Sequence, residues 1–156
     1  MLTINIGSRC PLLNPSDIAV VGFVPEQASE FERKQIQDLN VRVVDWETLA
    51  ANPENEITKL LKIWGKEFDR FLVHFDVDVL NFIDMPIADT TASRDVGLKL
   101  HQAMEVLSVL VAEERFSGLT ITEINPTHGK EDGTSTHALQ TFVQKLAQVF
   151  SQAVKE

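Results

Sequence analysis

The sequence predicts an α/β domain with three layers, an αβα sandwich in which helices cover both faces of a mostly parallel sheet. Short β-branched runs alternate along the chain with stretches whose apolar residues recur at helical spacing. This alternation is typical of parallel sheets with right-handed helical crossovers. A chain of 156 residues with 44% hydrophobic composition can bury one sizeable core. We therefore expect residues 1–156 to form a single domain.

Four segments have the composition of buried strands. They are short, rich in Val, Ile and Phe, and bounded by turn-forming residues. The predicted strands are 17–23, 41–46, 70–80 and 118–124. Ligands of parallel α/β sheets bind outside the carboxyl ends of the strands. Polar residues at those ends are therefore the first candidates for a functional site.

Capping residues and apolar periodicity predict the helices. Ser29 and Glu32 form a capping box, and Asn52 followed by Pro53 is a second helix start. The predicted helices are 29–40, 52–65, 98–114 and 139–154. The segment 81–97 between a strand and a helix is long for a connection, and long loops in compact domains often carry function.

Composition excludes several classes of protein. With 23 acidic against 14 basic residues, the net charge is −9, which argues against nucleic acid or an anionic membrane as the main partner. Cys10 is the only cysteine, so an intrachain disulfide is impossible, and Cys10 is not expected to be a nucleophile. The chain shows neither a signal peptide nor an apolar run of about 18 residues. We expect a cytoplasmic protein.

Two acids stand inside an otherwise apolar strand. In "FLVHFDVDVL", residues 71–80, Asp76 and Asp78 are two positions apart and would point to the same face of an ideal strand. Like charges in such a place need a cation, a proton or hydrogen bonds to offset them. Their oxygens suit Mg²⁺ or Mn²⁺, alone or as a pair of ions. The alternative is that one acid faces a helix N-terminus or solvent at the strand end.

Glu123 and His74 are the other candidates from the residues themselves. Glu123 lies at the end of the next predicted strand, where it would orient a cationic substrate or water, or accept backbone hydrogen bonds instead. His74 precedes Asp76 by two positions and so shares its strand face. It is a candidate ligand or proton shuttle, with a purely structural hydrogen bond as the alternative.

Taken in order along the chain, these motifs resemble the ureohydrolase superfamily, which includes arginase, agmatinase and formimidoylglutamase. "VHFDVDVLNFIDMP" is similar to the family signature S-F-D-x-D-x-x-D-P, and "GLTITEINP" is similar to a later segment that ends E-x-N-P. The two motifs together are more specific than either one alone. The resemblance covers nearly the whole chain and implies an arginase-like fold.

The resemblance also implies roles for individual residues. Asp76 and Asp78 would be ligands of a dinuclear manganese centre, and Glu123 would contact the guanidinium or amidine group of the substrate. In the family, a metal-bridging hydroxide attacks the amidine carbon, which is metal-assisted hydrolysis. The implied substrate is a small guanidino or amidine compound.

The sequence departs from the family pattern in two ways. His74, Asn81 and Phe82 replace the signature's Ser, third Asp and Pro, around the expected substrate mouth. The family's first half, which supplies the other metal ligands from Gly-Gly-Asp-His and Asp-x-His-x-Asp segments, has no counterpart in these 156 residues. The resemblance is therefore to the C-terminal half alone.

An incomplete ligand set has consequences for metal and partners. Two aspartates cannot fill the shells of two manganese ions, each of which takes about six ligands. We expect weak or absent metal binding and no turnover by this chain alone. An exposed sheet edge would favour self-association or a complementary N-terminal segment.

Two other functions remain compatible with the sequence. One is a glycosyltransferase-like domain that uses Asp-x-Asp to hold a metal and a nucleotide sugar, although no Gly-rich or basic phosphate loop is evident. The other is a non-catalytic binding or assembly module that keeps the fold and lacks the chemistry.

Overall fold

A computed structural model describes residues 13–89, 94–127 and 134–153. Cys10 lies outside these ranges. The described strands are β1 (Ala19–Phe23), β2 (Arg42–Asp45), β3 (Phe71–Asp76) and β4 (Phe116–Thr122). The helices are α1 (Glu30–Asp38), α2 (Trp46–Ala51), α3 (Pro53–Trp64), α4 (Leu100–Ala112) and α5 (Thr134–Ala153), and short 3₁₀ turns occupy Pro15–Asp17 and Val77–Val79. None of the described helices is both long and apolar enough to cross a membrane.

The strands form two parallel pairs. β1 pairs with β2, and β3 pairs with β4. In the second pair, Val73 lies opposite Leu119 and Asp76 lies opposite Thr122. The predicted parallel arrangement is confirmed, with hydrogen bonds running within each pair in the described part of the chain.

One apolar core joins the strands to the helices α2 to α5. Its fully buried centre includes Leu49 of α2, Ile57 of α3, Leu107 of α4 and Phe142 of α5. Alternate strand residues, such as Val73, pack against this core. In contrast, α1 contributes no buried residue, although its predicted capping box forms between Ser29 and Glu32. The helices α2 to α5 therefore cover one face of the strands.

Two details of the sequence prediction are wrong. Asp45 accepts a hydrogen bond from the Thr48 backbone N–H at 2.8 Å and so caps a short helix, α2, that the apolar pattern did not indicate. The strand predicted over 70–80 ends at Asp76, because the chain then turns through Val77–Val79. Asp78 therefore lies on a turn, and the two acids do not share a strand face.

Val79 joins the two strand pairs. Gly22, at a bulge near the end of β1, has φ +82°, and a Cβ built there would lie 2.5 Å from Cγ2 of Val79. Only glycine combines this backbone conformation with so close an approach. The carboxyl ends of β1 and β3 consequently meet at the same edge of the fold.

Replacing Gly22 with alanine tests this junction. We expect Gly22→Ala to lower the free energy of unfolding by about 2 kcal/mol or more, through backbone strain and the clash with Val79. Gly118→Ala is the matched control, because its Cβ would lie 3.3 Å from the exposed Leu72 side chain, which can move. Urea denaturation measures both. Equal losses would contradict the proposed role of the Gly22 and Val79 contact.

Candidate functional site

The register of β3 with β4 brings the predicted site residues to one edge. Asp76 ends β3 opposite Thr122, and Glu123 is the next residue after β4. Glu123 has φ 61°, a left-handed conformation that is uncommon for a residue with a side chain. The chain therefore turns sharply out of the strand at Glu123, beside the end of β3.

Asp76 and Asp78 lie on consecutive parts of one tight turn. The Asp78 backbone N–H points to Oδ1 of Asp76 at 3.5 Å, at the long limit of a hydrogen bond. Asp76 thus occupies the N-cap of the 3₁₀ turn. Partial burial raises the pKa of the Asp78 carboxyl, and the charges of Asp76 and Glu123, together with a side-chain hydrogen bond to Asp76, raise it further. Asp76 and Glu123 are therefore both close enough to Asp78 to repel its carboxylate.

His74 bonds across the strand pair. Its Nδ1 lies 2.9 Å from Oγ1 of Thr120, and its Nε2 lies 3.1 Å from Oγ1 of Thr122. The side chain is on the same face as Asp76, as the sequence predicted, and it is exposed. Both ring nitrogens are engaged by hydroxyls, so proton transfer by His74 would require one of these bonds to open.

A second network fixes the backbone after Glu123. The Glu123 carbonyl accepts from the Asp89 N–H at 2.7 Å, and the Asn125 N–H donates to the Ile87 carbonyl at 2.9 Å. The Asn125 side-chain amide also donates to Oδ1 of Asp89 at 2.6 Å. The loop after β3 is thereby tied to the segment after β4, and Glu123 is held at the junction.

Asn81 organises the start of the same loop. Its Oδ1 accepts from the backbone N–H groups of Ile83 and Asp84 at 3.0 and 3.1 Å, while its Nδ2 donates to the Asp95 carbonyl at 2.8 Å. An aspartate would keep the first two bonds and lose the third, because a carboxylate does not donate. Sequence reasoning noted Asn81 only as a departure from the family motif. The available signal was an Asn that opens a loop, a residue type that favours such local turns.

Helix α4 depends on this loop as well. Asp84 Oδ2 accepts from the Leu100 backbone N–H at 2.7 Å, which satisfies a donor at the helix start. The sequence did not indicate this long-range cap, since the two residues are 16 positions apart.

The carboxylates have suitable chemistry for a hard metal ion but are too few. Asp76, Asp78 and Glu123 offer the oxygen donors that Mn²⁺ and Mg²⁺ prefer. Nevertheless, no group of three His, Cys, Asp or Glu side chains within 13–89, 94–127 and 134–153 is arranged to hold a metal. The described residues alone therefore do not make a complete metal site.

A groove of about 1260 Å³ lies elsewhere, on the helical layer. Residues of α3, α4 and α5 line it, including Lys62, His101 and Lys145, and none of the four predicted site residues contributes. The carboxyl edge remains the stronger candidate, because three acids converge there and the pKa of one is raised.

The raised pKa of Asp78 predicts a pH-dependent effect on stability. A carboxyl whose pKa is raised by folding favours the folded state below its ordinary pKa, and this contribution is lost as pH rises through the raised value. We expect Asp78→Asn to increase the free energy of unfolding at neutral pH by about 0.5 kcal/mol, the scale of a partly exposed charge. In acid, where Asp78 is protonated in the wild type, the variant and the wild type should have the same free energy of unfolding.

Urea denaturation at both pH values measures this change. Asp69→Asn, an exposed position before the opposite end of β3, is the control for loss of one negative charge. A gain no larger than that of the control at neutral pH would contradict the repulsion of Asp78 by Asp76 and Glu123.

Comparisons with known proteins agree with the fold. The model of the arginase family matches residues 6–148. No curated protein sequence matches the chain. Among solved structures, Bacillus caldovelox arginase has a TM-score of 0.75 at 18% identity, and the match covers 93% of this chain and 46% of that one.

Two further structures extend the comparison. Entamoeba histolytica arginase, solved in complex with L-ornithine, has a TM-score of 0.70 at 21% identity, with 86% of this chain and 44% of that chain covered. Trypanosoma cruzi formiminoglutamase, solved with manganese, has a TM-score of 0.65 at 15% identity, with 87% and 46% covered. The chain spans less than half the length of each. With the family model matched over most of its residues and the fold shared with these structures, the chain belongs to the arginase family.

Proposed function

We propose that this chain is the C-terminal portion of a manganese-dependent hydrolase that acts on linear amidines or guanidino compounds. The observation that carries the proposal is the convergence of Asp76, Asp78 and Glu123 at one strand edge in a chain of the arginase family. The manganese in the solved Trypanosoma cruzi formiminoglutamase supports the choice of metal.

In this proposal, each acid has a distinct part. Asp76 and Asp78 are the two metal ligands that this portion supplies, and the remaining ligands come from polypeptide outside it. Glu123 receives the cationic group of the substrate, because a planar guanidinium or amidinium donates paired hydrogen bonds to a carboxylate. The exposed position of Glu123 is compatible with this contact.

His74 is proposed to act through its exposed imidazole. Its two threonine partners hold the ring beside Asp76, and exchange of one of them for substrate would let the ring move a proton. The alternative of a purely structural clamp between β3 and β4 rests on the same two bonds.

Substoichiometric Mn²⁺ tests where the metal binds. We expect paramagnetic broadening of backbone amide signals from Asp76 to Leu80 and around Glu123, because the ion would be held weakly between these carboxylates. The double variant Asp76→Asn with Asp78→Asn should lose the effect. The control pair Asp38→Asn with Asp69→Asn removes the same charge elsewhere and should retain it. Broadening that persists in the Asp76→Asn and Asp78→Asn double variant would contradict the assignment of these residues as metal ligands.

Hydrolysis assays test the incomplete ligand set. The 156-residue chain with added Mn²⁺ should release neither urea from arginine or agmatine nor ammonia or formamide from formimidoylglutamate, since its donors are too few to hold two ions. A full-length arginase in the same assay is the positive control. Turnover by this chain would show that its own residues complete the site.

A further inference from the structure

The chain changes its pairing partner directly after β4. Within β4 it runs parallel to β3, whereas Ile124 then forms an isolated antiparallel bridge with Ala88 of the loop. A backbone hydrogen bond flanks this bridge on either side. Glu123 is the single residue between the strand and the bridge, so the change of direction falls on it.

The backbone conformation of Glu123 reflects this change of direction. Its φ of 61° is left-handed, and among the described non-glycine residues it shares a positive φ only with Asn40. Asparagine is one of the residue types enriched in this region, whereas the Cβ of a glutamate makes it unfavourable. Contacts outside Glu123 must therefore hold its backbone in place.

The Asn125 side chain supplies such contacts through both ends of its amide. Its Nδ2 donates to Oδ1 of Asp89 at 2.6 Å, and its Oδ1 accepts from the backbone N–H and the hydroxyl of Thr127 at 2.9 and 2.6 Å. A carboxylate at this position would keep the bonds to Thr127 and lose the bond to Asp89, because it does not donate. The amide thus fixes Asp89, whose backbone N–H donates to the Glu123 carbonyl at 2.7 Å.

We propose that Asn125 is a positioning residue for Glu123. Its bond to Asp89 clamps the bridge that follows Glu123 and so holds Glu123 in the left-handed conformation. In that conformation the Glu123 carboxylate lies within electrostatic range of Asp78. The inference rests on the proposed function, in which Glu123 receives the cationic group of the substrate, because only then does the orientation of Glu123 determine binding.

An exchange of the two side chains tests the proposal by NMR spectroscopy of the 156-residue protein. Asn125→Asp places two carboxylates in contact, and we expect Glu123 to lose its positive φ, measured by the one-bond coupling between Cα and Hα. Adding Asp89→Asn returns a donor to the pair at the net charge of the wild type, and the positive φ should return. Asn81→Asp is the matched control. It adds the same charge to the loop and removes a different bond, so the φ of Glu123 should not change.

A second readout separates positioning from general stability of the loop. Guanidinium ion, kept below denaturing concentrations, is titrated against the signal of the Glu123 side-chain carboxyl carbon. It should bind at least about threefold more weakly to Asn125→Asp than to Asn81→Asp, which is the scale of an exposed charge contact. The double variant should bind it like the wild type. If guanidinium leaves the wild-type signal unchanged while the exchange controls φ, the proposed function is contradicted and the effect of Asn125 on Glu123 is upheld.

Three results would overturn the positioning role. They are a positive φ that persists in Asn125→Asp, a double variant that does not regain it, and equal guanidinium affinities of Asn125→Asp and Asn81→Asp. If Asn125→Asp fails to fold by circular dichroism, Asp89→Ala decides instead, because it removes the acceptor carboxylate and keeps the backbone N–H. We expect this variant to lose the positive φ of Glu123, and retention would equally overturn the proposal.

Discussion

Parallel pairing of β3 with β4 is the constraint on which the candidate site depends. Asp76 at the end of β3 lies opposite Thr122 at the end of β4, so both strands end at the same edge. Glu123, the residue after β4, therefore lies beside the turn that contains Asp76 and Asp78. His74 bonds to Thr120 and Thr122 across the same pair and so fixes the register next to the acids. A shift of the register by one residue would separate these groups, since neighbouring strand residues point to opposite faces.

The loop after β3 transmits that constraint to the rest of the fold. Val79 meets Gly22 of β1, and the Val79 carbonyl accepts from the Leu98 N–H at 2.9 Å. The Asn81 side chain then hydrogen-bonds to the backbone of Ile83 and Asp95 within the same loop. Polar bonds therefore organise the site from outside the apolar core, and no basic group within the described residues offsets the repulsion of Asp78 by Asp76 and Glu123, which raises its pKa. A site with this balance is suited to binding a cation, which would offset the repulsion.

Much of this arrangement follows from sequence, because it rests on local signals. The capping box at Ser29, the helix start at Pro53 and the four β-branched runs each depend on neighbouring residues, and all are present in the structure. The end of β3 could not be predicted in this way, since the turn at Val77–Val79 replaces strand within an apolar run. The bonds of Asn81 to Asp95 and of Asp84 to Leu100 join residues 14 and 16 positions apart, beyond any local pattern.

The chain belongs to the arginase family and spans less than half the length of the solved structures it matches. Together these findings make the carboxylate edge a candidate for part of a larger metal site. The central claim is that Asp76 and Asp78 are part of a manganese site that this chain does not complete. Calorimetric titration of the 156-residue protein with Mn²⁺ tests it most directly. The claim predicts weak binding that disappears when both aspartates become asparagine. Tight binding of two ions per chain, or binding that survives the double substitution, would contradict it.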